Sequence, residues 1–125
     1  MSMEKLSNPE NESSEKAKQH VAAALDDINS AIARKDGKVN VSIASYSLHL
    51  ILNMPVDIPS IMRECAKLPA NAGREEEFAN LAQEWEGFYP AHVGKTEETN
   101  ASEVVEKSKS LLERCKHMLE IVPGV

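Results

Sequence analysis

The sequence predicts an all-α fold, a single-domain antiparallel bundle of four to five helices, and three observations predict it. Apolar residues recur at helical spacing in successive segments. Gly and Pro punctuate the chain between those segments and nowhere else. The length of 125 residues suits one compact domain with a core of its own.

Residues 1–12 are polar and acidic, with Asn8-Pro9 as a boundary, and are expected to form a flexible leader. The bundle domain is then expected over 13–122 and a short tail over 123–125. The first helix should run from near Asn11 to Lys35. Its apolar positions Ala17, Val21, Ala24, Leu25, Ile28, Ala31 and Ile32 form one stripe, and Asp36-Gly37 supplies a left-handed stop.

The segment 39–53 carries two patterns. Val41, Ala44, Leu48, Ile51 and Leu52 fit a helical stripe, whereas Val41-Ser42-Ile43 and residues 46–50 alternate like strands. The alternation breaks at Ala44-Ser45 and at Leu50-Ile51-Leu52, and the run is long for one strand, so helix is favoured over strand. As a helix it has apolar surface beyond one stripe, which predicts the central, most buried element. Residues 54–59 form a turn, with Asp57 as N-cap of a short helix holding Ile58, Ile61, Met62, Cys65 and Leu68 and ending at Pro69. A fourth helix begins in Arg74-Glu75-Glu76-Glu77, where acids complement the helix dipole. It buries Phe78, Leu81, Ala82 and Trp85 and is expected to stop at Gly87, leaving 88–99 as a loop. In the last helix Asn100 and Glu103 have capping-box spacing. Val104, Val105, Ser108, Leu111, Leu112, Cys115, Met118, Leu119 and Val122 follow at helical spacing up to Pro123-Gly124.

Hydrophobic residues make up 42%, charged residues 27% and aromatics only 4%, so aliphatic side chains must fill the core. The net charge of −6 counts against non-specific binding to nucleic acid. Cys65 and Cys115 are the two cysteines and both fall on apolar positions, which fits reduced, buried thiols in a cytoplasmic setting. No signal-peptide core opens the chain and no apolar run is long enough for a membrane span.

No motif specifies a reaction, a cofactor or a metal. His117 follows Cys115 by two residues and so sits on a different helix face, a poor ligand pair. His20 borders the apolar stripe of the first helix; His49 lies within the apolar second segment, either buried and hydrogen-bonded or exposed on its polar face; His92, in a loop near Tyr89 and Lys95, has the best setting for a working residue. Glu75, Glu76, Glu77 and Glu84 could contribute to a magnesium site of the kind all-α nucleotide pyrophosphatases build, with Glu103 and Glu106 as the second acidic pair. A solvated, dipole-complementing face explains the same residues. Arg34, Lys35 and Lys38 suit a helix C-terminus, and the last helix interleaves its Lys and Arg with Glu, so neither makes a nucleic-acid stripe.

Three stretches resemble the HEPN domains, small helical bundles of prokaryotic toxin–antitoxin and nucleotidyltransferase-associated systems. They are Ala17-Lys18-Gln19-His20-Val21-Ala22-Ala23-Ala24-Leu25, then Ala44-Ser45-Tyr46-Ser47-Leu48-His49-Leu50-Ile51-Leu52, then Phe88-Tyr89-Pro90 with residues 101–108. The ribonuclease members of that family carry an Arg followed four to six residues later by a His; no such pair occurs here. The resemblance therefore implies a member without the nuclease site, one that binds a protein partner, a second copy of itself or a nucleotide.

The sequence thus points to a non-enzymatic helical module acting through protein association, with Tyr46, Trp85, Phe88, Tyr89 and His92 as its candidate interface. The alternative is a magnesium-dependent nucleotide hydrolase built on Glu75, Glu76, Glu77 and Glu84.

Overall fold

Proline needs no amide donor in the first turn of a helix, and the first helix, α1 (Pro9–Ala33), opens on one, two residues ahead of the expected start. The computed structural model describes residues 9–94 and 100–120, with side chains from Ser14 onward. Most of the expected leader, the tail at 123–125 and Val122 lie outside the described residues. Helix α1 ends as its sequence predicts. Asp36 takes φ 55 and Gly37 φ 81. The Gly37 N–H then reaches Ile32 O at 2.9 Å and the Asp36 N–H reaches Ala33 O at 3.1 Å, the two bonds of a Schellman stop.

The ambiguous segment is a helix, α2 (Val41–Leu52). Asn40 caps it, its Oδ1 accepting the Ile43 N–H at 2.9 Å. Ile43, Ala44, Ser47, Leu48 and Ile51 are buried, and the Ser47 hydroxyl is satisfied by Ile43 O at 2.8 Å. The expectation that this would be the most buried helix is not met. Neighbours cover only the inner face, and Val41, Tyr46 and Leu52 remain 42–49% exposed.

Helix α3 (Ile58–Ala66) starts at the predicted N-cap, with Asp57 Oδ1 accepting the Ser60 N–H at 3.2 Å. It gives way at Lys67 to a 3-10 turn, Pro69–Asn71. Buried Asn71 fastens that turn by donating from Nδ2 to Cys65 O at 2.9 Å.

The fourth helix, α4 (Glu75–His92), corrects the sequence reading. Gly87 does not stop it, and residues 88–92 are helix instead of loop. Gly87 is not among the positive-φ residues and has open space where a Cβ would stand, so nothing in its conformation ends a helix. Pro90 removes only the donor that would bond one turn back. Phe88, 4% exposed, anchors the extra turn in the core. The real stop is Gly94, at φ 82, after an extended Val93.

Helix α5 (Ala101–Glu120) buries every described position of its predicted stripe, from Val104 to Leu119. It packs on α1, α2 and α4, while α3 packs on α4 and α1. The result is an all-α helical bundle, and among the described residues there is no strand. Its centre is aliphatic, with Val21, Ile28, Leu48, Ile51, Leu111 and Leu112 fully buried around Phe78. Among the described residues no helix is long and apolar enough to cross a membrane.

Candidate functional site: the outer face of α2 and its two clefts

From residue 39 to residue 56 the chain has no Asp, Glu, Lys or Arg. A helix apolar on all sides is normally buried on all sides. Here α1, α4 and α5 cover one side of α2, and the other carries Ser42, Tyr46, His49 and Leu52 into solvent. The turn that follows adds Met54 and Val56, both half-buried.

A cleft flanks this face on either side. Toward α4 lies a hollow of about 420 Å³ lined by Leu52, Met54, Val56, Trp85, Tyr89 and Pro90, with Asp57 and Glu86 at its polar edge. Glu86 is engaged there by Arg63, whose two terminal nitrogens donate to its carboxylate at 2.8 and 2.6 Å. That bond holds the Glu86 carboxyl below its ordinary range. Toward α1 lies a second hollow of about 340 Å³, lined by His20, Ala23 and Asp27 from α1 and by Tyr46, His49 and Asn53 from α2 and its C-cap. Met54 lines both. His49 stands between the clefts. A carbonyl oxygen only accepts, so in its contact to Ser45 O at 2.8 Å Nδ1 is the donor. The ring meets Tyr89 edge to face.

The five residues singled out from sequence divide into two groups. Tyr46, Trp85 and Tyr89 flank α2 on its two sides: Tyr46, 44% exposed, lines the α1-side cleft, while half-buried Tyr89 and Trp85, 8% exposed, line the α4-side cleft. Phe88 and His92 turn the other way, toward α5. Their rings stack with centroids 4.4 Å apart and planes 30° apart, and the His92 Nδ1–H donates to Phe88 O at 2.9 Å. Leu52, Met54, Val56 and His49 were missed as site residues. The signal that finds them is the uncharged run itself, which no single-residue motif reports.

The acidic residues do not assemble a metal centre. Glu84 is clasped by Arg114, which donates from Nη1 at 2.9 Å and Nη2 at 2.5 Å. That bond, opposed by partial desolvation, pulls the Glu84 carboxyl below its ordinary value. Glu77 and Glu113 line the same α4–α5 groove of about 460 Å³. Glu75 instead turns back to accept the Gly73 N–H at 2.8 Å. Glu103 pairs with Lys107 at 3.0 Å, and Glu106 is exposed. Among the described residues no three His, Cys, Asp or Glu side chains converge where an ion could be held.

Both cysteines are free and buried. Burial pushes the Cys115 thiol up to about 12 and raises Cys65 as well, against an opposing hydrogen bond from Ser14. Burial of this kind disfavours the reactive thiolate.

Against known proteins the chain finds no match: no family model, no curated protein and no solved structure is significantly similar to it.

Proposed function

We propose that this chain is a non-enzymatic helical-bundle module of HEPN type that acts by protein association, and that the outer face of α2 is the surface it uses. The observation that carries this reading is the eighteen-residue stretch 39–56 without a charged side chain, in a chain that is 27% charged, whose outward residues the fold leaves uncovered. A solvated helix face in so charged a protein ordinarily carries Lys and Glu. Contiguous exposed apolar surface marks interaction sites, and Tyr46, Leu52, Met54 and Tyr89 supply the aromatic and aliphatic anchors such sites use.

Charge selects the occupant. Each copy carries −6, so most faces would bring like charges together when two copies meet. The outer face of α2 brings no charged side chain of residues 39–56 to such a contact, and its Leu52 and Met54 line a cleft at which the same residues of a second copy can meet. The occupant is therefore a second copy of this chain. The sequence likeness of residues 17–25, 44–52 and 88–90 to HEPN domains supports a cytoplasmic role in a nucleotidyltransferase or toxin–antitoxin type system.

Sedimentation velocity from about 1 to about 500 µM tests this, because mass action populates a dimer as concentration rises. The wild type is expected to shift to a dimer, and Leu52→Glu to remain a monomer with unchanged thermal unfolding. A wild type that stays monomeric throughout overturns self-association. A pull-down then decides the wider reading: a stoichiometric partner lost with Leu52→Glu keeps the association module, and recovery of the bait alone rejects it.

A further inference from the structure

The cleft between α1 and α2 is chemically unlike the apolar one on the other side of α2. Two helix stripes face each other across it. His20, Ala23, Ala24 and Asp27 stand at i, i+3, i+4 and i+7 on α1; Tyr46, His49, Leu50 and Asn53 stand at the same spacing along α2. Ala23, Ala24, Leu50, Met54 and Pro55 make an apolar lining, and the small alanines leave the space open. Polar groups rim that lining: a carboxylate, a phenol, an amide and two imidazoles. Among the described residues, the side chains of His20, Asp27, Tyr46 and Asn53 have no hydrogen-bond or ion-pair partner. Small-molecule sites combine an apolar lining with a few convergent polar groups in this way.

The rim also has a definite charge character. It contains no Lys or Arg, and Asp27 supplies its one carboxylate. A phosphate or carboxylate ligand would meet that carboxylate with no Lys or Arg to offset it. An ammonium group would find an anion at Asp27 and the electron-rich face of Tyr46 for a cation–π contact. The volume of about 340 Å³ holds on the order of ten non-hydrogen atoms, at roughly 30 Å³ each as for water.

We infer that the α1–α2 cleft binds a small organic cation: a primary ammonium ion on a short apolar body, with the ammonium at Asp27 and the body between Ala23, Leu50 and Tyr46. The cleft shares Tyr46 and Met54 with the proposed association surface, whereas Leu52 and Val56 line only the other cleft, so Leu52→Glu tests association without touching this site.

Three ligands of one size and one ring separate the possibilities: 2-phenylethylamine, 2-phenylethanol and phenylacetate, cationic, neutral and anionic at neutral pH. Each is titrated into the full chain and followed by amide and side-chain NMR shifts. The amine is expected to bind with a Kd at or below about 1 mM, shifting Asp27, Tyr46 and His49, with the neutral ligand weaker and the anion inert. Asp27→Asn keeps the shape of an exposed position and is expected to weaken the amine about tenfold, the loss of one charge-assisted hydrogen bond, without changing the neutral ligand. Ala23→Leu fills the cleft and is expected to abolish binding. The inference is overturned if the amine does not bind, if all three bind alike, or if Asp27→Asn binds the amine as well as the wild type does.

Discussion

The His49 ring on α2 meets the Tyr89 ring on α4 edge to face, with centroids 5.9 Å apart and planes at 74°. This contact ties the outer face of α2 to the last turn of α4, beyond the Gly87 at which the sequence suggested the helix would end. Ring pairs in this arrangement contribute about 0.5–1.5 kcal/mol beyond their buried area. A double-mutant cycle in urea on His49→Ala and Tyr89→Ala is expected to show a coupling of about 0.5–1 kcal/mol. Additive single effects would remove the tie.

Gly87, inside α4, and Gly94, just beyond it, should respond in opposite directions. Gly87 sits inside the helix with open space at its Cβ position, so Gly87→Ala is expected to stabilise the fold by about 0.5–1 kcal/mol through helix propensity. Gly94 has φ 82 in the stop that follows, so Gly94→Ala is expected to destabilise it. Chemical denaturation of the two variants beside the wild type measures both signs. A loss of stability in Gly87→Ala would mean that α4 does end there.

The fold was legible where apolar period and punctuation agreed. The α5 stripe, the Asp57 cap and the Asp36-Gly37 stop all stand where local chemistry puts them. Legibility failed at Gly87 and Pro90 because both are helix breakers by propensity, each costing about 1–3 kcal/mol in a helix interior. Burial of Phe88 offsets part of that cost, and burial is a tertiary quantity. The site was half legible for a related reason. Trp85, Phe88 and Tyr89 are consecutive in chemistry but radiate around a helix, so a cluster in sequence becomes two separate places in space. His49 and Leu52 enter the candidate site through what fails to cover them, and a sequence does not state which neighbours are missing.

The Glu84–Arg114 pair gives the fold a specific acid dependence. The folded-state pKa of Glu84 lies below its ordinary 4.5 because Arg114 donates to the ionised form. The stabilisation is therefore fully present above pH 4.5 and is lost as pH falls through the folded value. Both side chains are about half exposed, so the size is on the order of 0.5 kcal/mol. Glu84→Gln should be less stable than the wild type by that amount at pH 7 and equal to it near pH 3. A difference that persists at pH 3 would assign the effect to packing.

Cys115 should be silent to thiol reagents in the native protein. With its pKa pushed up to about 12, roughly one molecule in ten thousand carries the thiolate at pH 8, and the residue is fully buried besides. Alkylation followed by mass spectrometry is expected to label Cys115 only at the rate of unfolding, and fully in denaturant. Rapid native labelling would show that the α5 core opens more easily than its packing suggests.

Trp85 and Tyr46 separate core from surface among the interface candidates. Trp85, 8% exposed, floors the α4-side cleft and packs into the core, so Trp85→Ala is expected to cost about 3–5 kcal/mol and to impair association through the fold itself. Tyr46, 44% exposed on the outer face of α2, has little native packing to lose, so Tyr46→Ala should change stability by less than about 0.5 kcal/mol. Any loss of dimer in Tyr46→Ala therefore reports the interface alone. A Tyr46→Ala protein that unfolds normally yet sediments as a monomer would place the contact on α2. One that dimerises as tightly as the wild type would move the interface away from Tyr46 to the α4-side cleft lined by Leu52 and Tyr89.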